Sequence, residues 1–130
     1  MADVLTNAGV PILSGLASGA STVVPKYIGW GTGAGTAAKT DTTLFTAAAE
    51  PRITGTCTRV TTTIANDTIR VVGTLTSLSA QTITNVGLFD SVGSGVPPSG
   101  GTLVAKKSFT GQVLGVGESI QITFDIPVVN

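Results

Sequence analysis

Between residues 119 and 126 the chain alternates without a break: Ser119, Gln121, Thr123 and Asp125 separate Ile120, Ile122, Phe124 and Ile126. Successive side chains on an extended strand point to opposite faces, so this stretch has one apolar face and one wet face. A helix would scatter the same four apolar residues around its circumference. The segment is therefore a strand lying on a core, and the rest of the chain has to supply that core. Ile69, Val71 and Leu75 alternate in the same sense within residues 68–79. Further strands are predicted at residues 28–30, 52–64, 82–89 and 102–109. Ala65-Asn66-Asp67 separates two of them with residues that tolerate left-handed backbone, which is hairpin chemistry. Asp41 is placed to cap a short helix carrying Leu44 and Phe45, ended by Pro51. A loop over residues 90–101 contains Pro97 and Pro98, and Gly111, Gly115 and Gly117 separate the last two strands.

Composition agrees with this reading. Threonine is the commonest residue and there are 17 glycines, a mixture that favours β-strands joined by tight turns. No long amphipathic helices alternate with the strands. The predicted class is all-β: an antiparallel β-sandwich or jelly-roll-like single domain with an N-terminal arm. At 130 residues the chain is one domain by length and can bury a core without disulfides or metals. The boundaries read as an arm over residues 1–25 and a β-sandwich domain over residues 26–130.

The arm is set apart by its pattern. It is apolar, with Val4, Leu5, Val10, Ile12, Leu13 and Leu16 among Gly, Ser and Ala, yet it lacks strict alternation. Pro11 interrupts any helix, and Leu13, Leu16 and Ala17 are spaced for one short helical face after it. Those six apolar residues are the candidate contacts with a neighbouring molecule. The alternative is an ordinary first element packed on its own domain. Asp3 and the lack of any Lys or Arg before Lys26 argue against a secretion signal. No apolar run reaches the roughly 18 residues of a membrane span, so no membrane partner is expected.

Enzymatic chemistry finds little to work with. The chain has no histidine, which removes the commonest general base and zinc ligand. Cys57 is the single cysteine, so no intrachain disulfide forms, and it reads as a small buried apolar residue. The seven acids (Asp3, Asp41, Glu50, Asp67, Asp90, Glu118 and Asp125) follow no metal-loop spacing and fall mostly at turns or strand ends. The run Gly29-Trp30-Gly31-Thr32-Gly33-Ala34-Gly35 lacks the following helix and the Gly-Lys-Ser/Thr of a phosphate loop, and reads as a closely packed backbone turn. Trp30 reads as a core plug. Arg52, Arg59 and Arg70, with Lys106-Lys107, suit either an interface or a solvated sheet face pairing with Glu50 or Asp67. Charged residues are only 11% of the chain and the formal net charge is 0, so there is no basic footprint for nucleic acid. No catalytic residue, cofactor or metal is assigned.

A family pattern runs through the same residues. Residues 27–36, then Asp41-Thr42-Thr43-Leu44-Phe45 and Glu50-Pro51-Arg52, followed by Thr82-Ile83-Thr84-Asn85-Val86-Gly87-Leu88-Phe89-Asp90, Gly101-Thr102-Leu103-Val104-Ala105-Lys106 and the closing run 117–124, resemble a set of small structural proteins of tailed-bacteriophage virions. The opening Met1-Ala2-Asp3-Val4-Leu5-Thr6-Asn7 is similar too. Two departures stand out: an uncharged run over residues 8–16 replaces a basic, helix-like segment, and the loop 91–100 is longer, with two prolines. The resemblance implies a non-enzymatic capsid decoration (cement) protein that binds and stabilises the outer surface of the major capsid shell. A tail- or baseplate-associated structural protein is the alternative. It further implies the major capsid protein and copies of the chain itself, as a homotrimer, as partners, with synthesis in the host bacterial cytoplasm and a final place on the capsid exterior.

Overall fold

The structure is a computed structural model that describes residues 3–128; the outer ends of the expected arm and domain, at residues 1 and 130, lie outside the described residues. The elements are β1 (Val4–Leu5), α1 (Gly9–Ser18), β2 (Tyr27–Gly31), β3 (Ile53–Thr54), β4 (Thr56–Val60), β5 (Thr68–Thr76), β6 (Gln81–Phe89), β7 (Leu103–Leu114) and β8 (Ser119–Pro127). They form two antiparallel sheets, one of five strands in the order β1-β7-β6-β2-β3 and one of three in the order β4-β5-β8. The all-β class read from the sequence is the fold observed. Ile122, Phe124 and Ile126 of β8 and Val71 and Leu75 of β5 are buried against Ile28, Trp30, Val86 and Leu88 of the larger sheet. On β8, Ser119 and Gln121 are exposed, as the alternation requires. Each buried aliphatic side chain contributes about 1.5–3 kcal/mol, so this inter-sheet layer is the main source of stability.

The expected strand 52–64 is two strands, β3 in the larger sheet and β4 in the smaller. The chain changes sheet at Gly55, whose N–H donates to the Lys26 carbonyl at 2.6 Å. A Cβ there would sit 2.7 Å from Val71 Cγ1, so only glycine fits the corner. The expected strand 102–109 instead runs on to Leu114, with Gly111 inside it.

Beyond β4 the hairpin turn is organised by Asp67. Its carboxylate accepts the N–H groups of Thr62, Thr63 and Ile64 at 2.9 Å each, and Asn66 takes a left-handed φ of 58°. These three donors hold the Asp67 carboxyl far below the usual carboxylate range. A depressed folded pKa contributes stability that is present above the ordinary value near pH 4 and lost as pH falls below it. Asp67→Asn is therefore expected to lower the urea midpoint at pH 7 and to flatten its fall between pH 5 and pH 2; an unchanged acid limb would contradict this.

No helix forms after Asp41. Residues 32–48 instead cross the outer face of the larger sheet as an extended strap. The backbone groups a helix would use internally are taken elsewhere. Phe45 N–H donates to Asn85 Oδ1 at 3.0 Å, and the Phe45 carbonyl accepts Asn85 Nδ2 at 3.1 Å and Gly33 N–H at 2.9 Å. Asp41 does cap, but backwards: its Oδ2 accepts the Ala38 N–H at 2.9 Å. The glycine run makes the strap possible, because a Cβ on Gly31 would collide with the Phe45 carbonyl.

The N-terminal segment, expected as a separate arm, is tied to the domain. β1 pairs with β7 at Val4↔Lys106 and Leu5↔Ala105. Thr6 is fully buried, its N–H donating to the Val104 carbonyl at 3.0 Å and its hydroxyl to the Leu103 carbonyl at 2.5 Å. Asp3 pairs with Lys107 at 2.8 Å and accepts the Asp125 N–H at 2.6 Å, which links the two sheets. Helix α1 begins before Pro11, which does not break it because first-turn N–H groups have no helical acceptor in any case. Gly9 brings the helix onto β7, where a Cβ would lie 2.9 Å from Val104 Cα, and Gly19 ends it with φ 79°.

Candidate interaction surface

Helix α1 carries no charged residue, and Gly9 is its one buried position. Ile12 and Leu13 lean on the core from one side while Val10 stays 52% exposed. Two open, largely apolar grooves flank the helix and share Leu13, Leu16 and Ile69. One, of about 570 Å³, is completed by Val24, Pro25, Cys57 and the polar Thr58, Arg59 and Asn66. The other, of about 600 Å³, is completed by Leu5, Val10, Ile126 and Val128. Contiguous apolar surface of this kind is what interaction sites present, unlike isolated exposed aliphatics. A second apolar group, Leu78, Val113 and Val116, is exposed at the opposite end of β5 and β8.

Of the six contact residues named from sequence, Val10, Leu13 and Leu16 meet at these grooves, and Leu5 lines the second one. Val4 is half-buried in the β1–β7 ladder, and Ile12 is half-buried against the core. Cys57, expected to be buried, is exposed on the edge strand β4. It lines the first groove, where partial burial pushes its thiol pKa up and Lys26 pulls the other way. Trp30 is in the core, 3% exposed.

The charged groups are dispersed, and the acids are each engaged by donors of the fold. Neither Glu50 nor Asp67 pairs with an arginine. Arg70 holds Asp125 side-on, Nε to Oδ1 at 2.7 Å and Nη2 to Oδ2 at 2.8 Å. Glu50 accepts the Leu78 N–H and the Gln81 amide, Asp90 the Thr102 N–H, and Glu118 the Gly115 N–H. Among the described residues no group of three His, Cys, Asp or Glu side chains is placed to hold a metal ion, and no helix is long and apolar enough to cross a membrane.

No protein-family model, curated protein or solved structure matches this chain.

Three polar residues that position the surroundings were not singled out by sequence as buried. Asn85 and Lys106 are fully buried under the strap, and Arg52 is buried beside it. For the lysine a signal was present. Lys106 and Lys107 are consecutive on a strand, so they must point to opposite faces, and one has to enter the protein. Lys106 faces the strap, reaching Asp41 at 3.1 Å and the Thr43 carbonyl at 2.8 Å. Lys107 turns to the other side and reaches Asp3.

Proposed function

We propose that this chain is a non-enzymatic structural protein of a tailed-phage virion, a capsid decoration protein that binds the exterior of the major capsid shell and stabilises it. The observation that carries the reading is the largely apolar surface around the uncharged helix α1, with two grooves meeting at Leu13 and Leu16 and Arg59 as the one charged residue lining them. Apolar surface with a single charge among its lining residues costs little to desolvate on docking. A shell offers many equivalent sites, so weak individual contacts suffice once copies are linked as a homotrimer. The resemblance of residues 27–36, 41–45, 50–52, 82–90, 101–106 and 117–124 to small virion proteins supports the same assignment.

The double variant Val10→Asp/Leu16→Asp places charges on that surface while leaving the inter-sheet core intact. Its affinity for undecorated shells, read by co-sedimentation, is expected to fall at least about tenfold, equivalent to about 1.4 kcal/mol. Circular dichroism checks that the fold is kept. Undiminished binding by the folded variant removes the α1 surface from the interface. Electron microscopy of intact particles checks the location: copies distributed over the head agree with decoration, and copies confined to the tail assign the chain to the tail or baseplate instead.

A further inference from the structure

A cleft of about 280 Å³ opens between the strap and the 90–101 loop. Thr42, Thr43, Leu44, Pro98 and Ser99 wall it, with Arg52 and Phe89 beneath. Arg52 is 8% exposed, and its guanidinium carbon lies 3.5 Å from the centre of the Phe89 ring. Nη1 donates to the Ser91 carbonyl at 2.9 Å and the Gly100 carbonyl at 2.8 Å, which fixes the group's orientation. Those two bonds occupy one corner of the fork. Among the described residues, Nε and Nη2 donate to nothing, and no carboxylate pairs with Arg52. Asp90 acts on it through space, but an oxygen of Asp90 accepts the Thr102 N–H. Glu50 lies across a small adjoining hollow, where one of its oxygens accepts the Leu78 N–H.

The same protein shows what such an edge binds. Arg70 uses its Nε and Nη2 to grip Asp125 side-on. Arg52 presents that edge in a more buried setting, where an unmatched cation is costly and a matched one binds strongly. We propose that the cleft binds a carboxylate on a short aliphatic stem, seated side-on against Nε and Nη2 of Arg52. A carboxylate suits the site better than a phosphate, because its two coplanar oxygens match the two coplanar donors Nε and Nη2. Leu44 and Pro98, both lining the cleft, are the apolar partners it offers the stem. The group arrives either as a free small acid or as a glutamate side chain of a partner chain.

The test is an NMR titration of the arginine Nε–H resonances with glutarate, using chloride or sulfate at matched ionic strength as comparators. Arg52 Nε–H is expected to shift saturably with glutarate, and Arg59 and Arg70 to stay in place. Arg52→Lys keeps the charge but lacks the fork, and is expected to abolish saturable perturbation of the Gly100 and Gly101 amides. Thr42→Phe fills the cleft mouth while leaving Arg52 in place, so it tests the site even if the arginine variant fails to fold. It is expected to weaken glutarate binding at least tenfold. A missing shift, an equal shift with sulfate, or full binding by Thr42→Phe overturns the proposal. With the site upheld, a glutamate-bearing peptide saturating at a tenfold lower concentration than glutarate assigns the ligand to a partner chain; equal or weaker peptide binding assigns it to a free acid.

Discussion

A chain lacking residues 2–20 is expected to lose about 5 kcal/mol of folding stability, a large share of what a domain of this size possesses. Leu5, Ile12 and Leu13 pack partly buried against the core, each contributing roughly 1–2 kcal/mol of the full burial value. Thr6 caps the Leu103 and Val104 carbonyls of β7, and its removal uncovers them. Loss of Asp3 takes away the ion-pair partner of Lys107 and the acceptor of the Asp125 N–H, opening the sandwich on the side where β7 and β8 face each other. Urea denaturation of the truncated chain against the full chain measures the effect. A truncated domain of unchanged stability would restore the reading of residues 1–25 as a detachable arm. Gly9→Val probes the same attachment with one residue, because its side chain would meet the Val104 backbone; it is expected to destabilise by about 2 kcal/mol.

The second large effect concerns the pair under the strap. Lys106 is fully buried, with its ammonium 3.2 Å from the centre of the Phe45 ring and 3.1 Å from Asp41. Burial lowers the Lys106 pKa, and Asp41 offsets this only in part, so at neutral pH the buried charge is itself a cost. For Asp41, burial works against the charged form, but the Ala38 N–H and Lys106 outweigh it and hold the carboxyl below its usual range. Removing one partner strands the other. Asp41→Ala is expected to destabilise by about 3 kcal/mol, and Lys106→Met, which keeps the volume and removes the charge, by no more than about 1 kcal/mol. The double variant Asp41→Ala/Lys106→Met should then lie closer to Lys106→Met than to Asp41→Ala, a loss well below the sum of the two single losses. Equal losses in the two single variants would show instead that the ammonium is itself a net source of stability. The pH dependence has a fixed sign: the lowered Asp41 pKa contributes stability present above about pH 4 and lost as pH falls, and Lys106→Met should reduce that loss.

The inside and outside of the strands were legible. The alternation at residues 119–126 identified β8 and its buried Ile122, Phe124 and Ile126, and the same rule placed Val71 and Leu75 in the core. Asn66 and Asp67 marked the turn they make. The α1 surface was half legible: its apolar residues could be named, but not which of them the domain would claim. Leu5 and Ile12 lean inward while Val10 stays out, because β1 pairs with β7 and Gly9 fixes the angle of the helix against that strand. The Arg52 cleft was not legible. Its walls come from residues 42–44, 89 and 97–101, which only the pairing of β6 with β2 and β7 brings together.

The sequence alone determined the all-β class, the period-two faces and the turn chemistry, because each depends on residues within a few positions of one another and on backbone preferences they carry anywhere. The tertiary structure decided where polar groups found their partners. It sent the chain from one sheet to the other at Gly55 and drew residues 32–48 into a strap where a capped helix was expected. It also turned Lys106 inward onto Asp41 and joined the segment from Asp3 to α1 to β7. Burying a backbone or charged group without a matching one is costly, and the matching group lies 40 residues away for Phe45 and Asn85 and 65 for Asp41 and Lys106. Only the folded arrangement of the strands brings those groups within reach.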